Sequence, residues 1–403
     1  MRLFYKKNIY SVTSFTEIAE GKLIENILHL EAFSSSSVRR QLCFYPVAIE
    51  SEKDKIVTDI LDELWKIKKG KSRKKSNGSP LFSVFRDFDS VFTILENKGH
   101  FIHSFEVFLL GLNIINVLIQ NSGGDIFNSR INFSKHIYYS WLLTSSAHDF
   151  GYPLEVASEL TKKFSLLYKK IYMKDISNQF SDLSKNITLD SSLLNVQGID
   201  IEEFILDGIR LSIIGNNKDV KKIHNVLSEK DNKGRYNHGY ISALILCRTY
   251  IQYLSDLKIL DKKNDAWRVD ILKMAAAGIA LHAIPKAHIS LIKHLSFNLN
   301  PLAYLLYLVD NLQDWHRSLR PSKIFPSYSL HNFTSQSNTI HLSYSLYHKS
   351  WPDSTIKDTI NYLKEKASII KLPQKPTPSS NFKIVADFLT NGGPTLKSLK
   401  VVL

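Results

Sequence analysis

Cysteine is nearly missing from this chain: 403 residues carry two, Cys43 and Cys247. Two thiols so far apart do not make the disulfide framework of a small secreted domain, so a reducing, cytoplasmic setting is expected. Glycine and proline are scarce, at 16 and 12 residues, which excludes collagen-like and low-complexity architectures. The opening MRLFYKKNIY lacks the apolar stretch and small-residue cleavage site of a signal peptide. The longest apolar run, Val107 to Ile119, contains Asn113 and Asn116. It is too short to span a bilayer and reads as a buried helix, so no membrane partner is expected. There is no glycine-rich phosphate loop, no serine in a nucleophile-elbow context and no Cys-x-x-Cys pair, which leaves those three chemistries without their residues.

What is present is apolar bulk and positive charge. Hydrophobic residues make up 44% and aromatics 11%, enough for a substantial core and too much for a disordered chain. The net charge of +14 favours anionic partners in general. Part of it sits in one run, Lys66, Lys68, Lys69, Lys71, Arg73, Lys74 and Lys75. That run reads first as a solvated loop, with nucleic acid as the candidate partner of residues 66–75 if it binds anything.

Periodicity predicts a mainly α protein. In KIVTDILDELWKIKK, Ile56, Ile60, Leu64 and Ile67 share one helical face. Residues 1–80 form a helical N-terminal region ending in the basic, glycine- and serine-containing loop. From 81 to 330 nearly every segment reads as helix. SFEVFLLGLNIINVLIQ, YISALILCRTYIQYL and DILKMAAAGIALHAI have little polar surface, as suits central helices of a large bundle. Residues 165–235 are more polar and read as a largely helical insertion. Beyond Pro321 the pattern changes: TIHLSYSLY and NFKIVADFL alternate like strands around a helical KDTINYLKEKASII, predicting a small α+β tail over 335–403.

The chemistry concentrates where ionisable residues interrupt these apolar segments. A helix rich in apolar residues runs into His148-Asp149 and then stops at Gly151-Tyr152-Pro153. Neighbours on a helix diverge by about 100°, so the imidazole can face one ion while the carboxylate reaches toward a second. Imidazole with carboxylate suits first-row divalent metals. His103 opens HSFEVFLLGL, His238 opens HGYISALIL, His282 lies in AAAGIALHAIP and Asp310 in LAYLLYLVDNL. One buried histidine is usually a satisfied core residue. Several, with a buried aspartate and a His-Asp pair, point to a metal site, because an unpaired ionisable group in apolar surroundings is costly.

The order His, His-Asp, His, His, Asp is similar to that of the HD-domain metal-dependent phosphohydrolase superfamily, over roughly residues 97–320. AHDFGYP resembles its His-Asp-Gly motif region, and NHGYISALIL and YLLYLVDNLQDW resemble the segments carrying a later histidine and the final aspartate. The resemblance implies an HD-type helical bundle in which His103, His148, Asp149 and Asp310 hold one metal. Asp149 bridges to a second, completed by His238 and His282, as in the binuclear phosphodiesterase branch. It implies two divalent ions (Mn, Fe, Ni, Co, Zn or Mg) and a phosphorylated small molecule or nucleotide as substrate. One departure is the ninety residues between His148 and His238, longer than in compact members; an inserted lid explains it, and so does a misassigned third histidine.

Asp149, His100 and Arg317 are the candidate catalytic residues. His100 precedes His103 by three and is a candidate general acid or alternative ligand. Gln313, Asp314 and Arg317 follow Asp310 at helical spacing. Gln313 or Asp314 can orient a ligand and Arg317 can reach substrate phosphate; a salt-bridged helix end fits the same spacing. Lys286 follows His282, but Pro285 ends that helix first. The functional expectation is metal-dependent hydrolysis of a phosphodiester or nucleotide. The alternatives are a non-catalytic HD nucleotide-binding or signalling module, and a di-iron oxygenase using the same ligands.

Overall fold

A computed structural model describes residues 15–65, 100–122, 133–152, 194–213, 216–229, 236–260, 266–285, 299–313, 328–336, 339–346, 383–390 and 395–402, with a few isolated positions. The basic loop 66–75, the helical segment expected over 357–370, and Asp314 and Arg317 lie outside the described residues. The fold is mainly α with a small β-containing C-terminal part, as the periodicity predicts.

Among the described residues are ten α-helices: α1 (Phe15–Ile27), α2 (Ser36–Phe44), α3 (Glu50–Leu64), α4 (His100–Ser122), α5 (Phe133–Ala147), α6 (Ile201–Ser212), α7 (Asn217–Ser228), α8 (His238–Asp256), α9 (Ala266–His282) and α10 (Pro301–Leu312). Side-chain caps start four of them. Asp200 accepts from Glu203 N, Asn216 from Lys218 N and Asp219 N, Asn237 from Tyr240 N, and Asn300 from Ala303 N. Each satisfies a backbone donor the first turn leaves open. Pro301 adds a preset φ at the start of α10.

The helix α9 is the axis of the bundle. Ile271, Leu272 and every residue from Met274 to Leu281 are buried, and a helix apolar all round belongs in the middle. It packs against α5, α6, α8 and α10. The small residues of AAAG allow this approach: a methyl on Gly278 would sit 3.0 Å from Ala303 Cα on α10. Both described helices of the 165–235 stretch belong to this packing, with α6 lying along α9 and α7 on α6 and α8.

Helix α4 is longer than its apolar run suggests. Its window Ile102–Gln120 is long and apolar enough by length and composition to cross a membrane, against the expectation that the run is too short. That window is 94% buried in the fold, and it carries the buried polar residues His103, Glu106 and Asn113. The polar turns at its start extend the helix beyond Val107, which composition alone did not reveal. Asn113 donates to the carbonyls of Leu23 at 3.0 Å and Leu109 at 2.9 Å. The asparagines that interrupt the apolar run thus dock α1.

Six strands are described. β1 (Asn195–Val196) and β2 (Ile199–Asp200) form a short hairpin before α6. β3 (Tyr328–Gln336), β4 (Thr339–Leu346), β5 (Lys383–Thr390) and β6 (Thr395–Val402) form a sheet in that order, antiparallel at β3–β4 and β5–β6 and parallel at β4–β5. The alternation read in TIHLSYSLY is real: Ile340, Leu342 and Tyr344 are buried and His341 is exposed. β3 and β6 were not anticipated, and the sheet begins at Tyr328, ahead of residue 335. A register shift between Leu330 and Asn332 brings Leu330 and Phe333 both into the core, which breaks the period-2 signal. The sheet docks on α1 through β3, where Lys22 Nζ donates to Asn332 Oδ1 at 2.8 Å.

Candidate metal centre

Helix ends bring the six expected ligands together. His103 lies in the first turn of α4, His238 opens α8, His282 closes α9, and Asp310 lies in the last turn of α10. The pair His148-Asp149 sits in the turn just past α5, which stops at Ala147, ahead of the pair and not at Gly151 as its sequence pattern reads. The turn is closed by Phe150 N to Ala147 O at 3.3 Å and Tyr152 N to Asp149 O at 3.0 Å. The pair therefore diverges because it rides a turn rather than a helix. Three helix C-termini, of α5, α9 and α10, meet at the site, and the negative ends of their dipoles favour a cation.

Two groups of donor atoms share Asp149. Within His103, His148 and Asp149, and again within Asp149, His238 and His282, the donors lie within 4.8 Å of one another. The carboxylate of Asp149 faces both ways. Its Oδ2 is 3.5 Å from His148 Nε2 and 3.8 Å from His103 Nε2. Its Oδ1 is 3.8 Å from His238 Nε2 and 3.9 Å from His282 Nε2. Asp310 Oδ1 joins the first group, 3.0 Å from His103 Nε2 and 3.7 Å from His148 Nε2. His148 is fully buried, and His238 is the most open of these four histidines, at 24%.

The far side of three rings is already held by acceptors. Nδ1 of His148 donates to Ser145 O at 2.6 Å, and Nδ1 of His282 to Ile279 O at 2.5 Å. Nδ1 of His103 meets Gln313 Oε1, an orientation set because Gln313 Nε2 donates to Glu106 Oε2 at 2.6 Å. A neutral imidazole that donates from Nδ1 offers a bare lone pair at Nε2. His103 and His148 then turn two such nitrogens toward each other 3.4 Å apart. A divalent cation between them and the two carboxylates resolves that repulsion, so the donor set fits a metal. Burial pulls the pKa of His148 down to about 4, against the opposing pull of Asp149, which keeps the ring neutral and competent as a ligand near neutral pH.

Packing around the second group is close. Asn237 caps α8 and donates from Nδ2 to Ala283 O at 2.7 Å, tying the start of the His238 helix to the end of the His282 helix. Gly151 N donates to Ser242 Oγ at 2.7 Å, and Ser242 Oγ donates to His238 O at 2.7 Å. A methyl on Gly151 would lie 2.7 Å from Ile241 Cβ and 2.8 Å from Ser242 N, so glycine is required where this turn meets α8.

Of the helper residues, Gln313 is buried at the site, but not by continuing the helical face of Asp310. Helix α10 ends at Leu312, and Gln313 turns extended with φ −81° and ψ 100°, which swings its amide between His103 and Glu106. His100 opens α4, with its side chain outside the described residues. Arg317, Asp314 and Lys286 also lie outside them. Glu106, Asn237 and Tyr45 were missed by sequence reasoning. A carboxylate three residues after His103 in an otherwise apolar helix was the one signal available.

No known protein family, curated protein or solved structure matches this chain. The buried His/Asp cluster is one that could hold metal, and its arrangement is compatible with an HD-type site.

Proposed function

We propose that this protein is a metal-dependent phosphohydrolase of the HD type, acting on a phosphodiester or nucleotide. The observation that carries the reading is Asp149, whose two oxygens address two different histidine pairs. A single aspartate shared in this way is what a binuclear centre needs. His103, His148, Asp149 and Asp310 would hold one ion, and Asp149, His238 and His282 the other.

Bound there, divalent cations would supply Lewis-acid polarisation of phosphoryl oxygens and activation of water near neutral pH. The chain's own contribution is orientation and charge. Carbonyls of Ser145 and Ile279 fix two rings so that Nε2 points inward. Two carboxylates balance part of the cationic charge, leaving room for an anionic substrate. The greater exposure of His238 makes its side of the centre the side from which substrate arrives.

The test is metal analysis of the purified protein, followed by phosphomonoester, phosphodiester and nucleotide substrates with Mn, Mg, Ni and Fe. Hydrolysis by the native protein that Asp149→Ala abolishes supports the reading. Absence of both bound metal and hydrolysis overturns it. Oxygen consumption with iron and no hydrolysis would transfer the chain to the oxygenase alternative.

A further inference from the structure

Three of the site's rings are held at Nδ1, but not by equivalent partners. His148 donates to a main-chain carbonyl of the helix just before it, and His282 to one of its own helix. His103 instead donates to a side-chain amide, Gln313, whose nitrogen is committed to Glu106 Oε2 at 2.6 Å. The other oxygen of Glu106 accepts from Tyr45 OH at 3.0 Å. Tyr45, Glu106 and Gln313 are all buried. The line Tyr45–Glu106–Gln313–His103 therefore runs from the N-terminal helices through α4 and the end of α10 to the metal centre.

With the Gln313 oxygen toward His103 and its nitrogen toward Glu106, donors and acceptors match along this line. Both oxygens of Glu106 accept, as an ionised carboxylate requires. Burial and the adjacent Glu106 push the Tyr45 hydroxyl pKa well above its ordinary value, so it stays a donor. Tyr45 is held in turn by an edge contact with Phe105, centroids 5.1 Å apart, and by Lys53 Nζ, 4.6 Å from its ring. Lys53 also forms a buried 2.8 Å ion pair with Glu20. A carboxylate passed through one amide onto the far nitrogen of a ligand makes that ligand more electron-rich and fixes its ring plane.

We propose that Glu106 is a positioning residue of the metal centre, acting through Gln313 on His103, and that Tyr45 sets its orientation from the N-terminal helices. The inference rests on the reading of the cluster as a metal centre. It extends that centre through bonds that span 207 and 210 positions in sequence, and it makes the N-terminal region part of the metal site rather than an independent unit.

The experiment is calorimetric titration of the metal-stripped full-length protein with Mn(II), together with absorption spectra of the Co(II)-substituted form. Glu106→Gln removes the charge and leaves one acceptor oxygen where two are used, so one rung of the ladder goes with it. It should weaken binding of the ion held by His103 about 10- to 100-fold and shift the Co(II) bands. Tyr45→Phe should weaken it less, in the same direction. The decisive variant is the swap Glu106→Gln with Gln313→Glu, which restores a donor and an acceptor at every step of the ladder and moves the carboxylate directly onto His103. It should restore affinity to at least the native level and move the Co(II) bands away from their native positions, a spectral change a merely structural role does not give. Melting temperatures of all variants separate misfolding from ligand tuning. If native protein binds Mn(II) and Glu106→Gln binds it equally well, or the swap fails to rescue a folded Glu106→Gln defect, the positioning role is wrong. If native protein binds no metal at all, the metal-centre reading itself fails.

Discussion

Tyr344 donates its hydroxyl to the main-chain carbonyl of Leu312 at 2.7 Å, with both residues buried. Leu312 is the last residue of α10, the helix that carries Asp310. The C-terminal sheet is thus fastened to the end of a ligand-bearing helix, where a carbonyl has no partner within the helix. Tyr344→Phe should cost about 1–3 kcal/mol by stranding that carbonyl, read as a lower urea midpoint with the metal stoichiometry unchanged.

Asp149 and His238 should separate in a metal count. His238→Ala removes a donor from one group only and should lower the bound divalent ions from two to one. Asp149→Asn removes the carboxylate both groups share and should reduce binding at both. Elemental analysis after gel filtration reads this directly. Equal losses in the two variants would contradict a shared bridge.

The metal-free protein should lose stability as pH falls from about 6.5 to about 4. His148 takes up its proton only near pH 4 in the fold, whereas the unfolded chain takes it up near the ordinary value of about 6.5. Between those values the unfolded state holds more protons, so acid favours unfolding, by about 3 kcal/mol in full. Above pH 6.5 this contribution is constant. Urea melts of EDTA-treated protein across that range should show a steeper pH dependence in the native chain than in His148→Gln.

Gly151→Ala should damage the His238 side of the centre selectively. The new methyl would press on Ile241 Cβ, Ser242 N and the His238 carbonyl. Relief requires α8 to shift, carrying His238 with it. We expect about 1–3 kcal/mol of destabilisation and weaker uptake of the second ion, measured by calorimetric titration.

Chelation should lower the melting temperature of the native protein and leave Asp149→Asn nearly unmoved. A ligand at about 100 times its Kd stabilises the fold by about 2.7 kcal/mol. A scanning calorimetry pair with and without EDTA reads the difference.

Much of the outline was legible in the residues themselves. Apolar spacing reports burial one turn at a time, so the helices were predictable, and so was β4, with Ile340, Leu342 and Tyr344 on one face. An ionisable residue in an apolar segment must find a partner, so His103, His148, Asp149, His238, His282 and Asp310 stood out singly. Local pattern carries no signal for what such a residue meets across the core. Only the packing of α4, α5, α8, α9 and α10 around one point decided that Asp149 turns one oxygen to each histidine pair. Only the end of α10 at Leu312 decided that Gln313 leaves the helix to bridge His103 and Glu106. The register shift in β3 hid that strand for the same reason, since it answers to its partner strand and not to its own alternation. The sequence by itself determined which side chains had to be satisfied inside the fold. Contacts between residues from 45 to 210 positions apart decided how, because geometry at that range is set by how whole helices pack and not by the residues beside them.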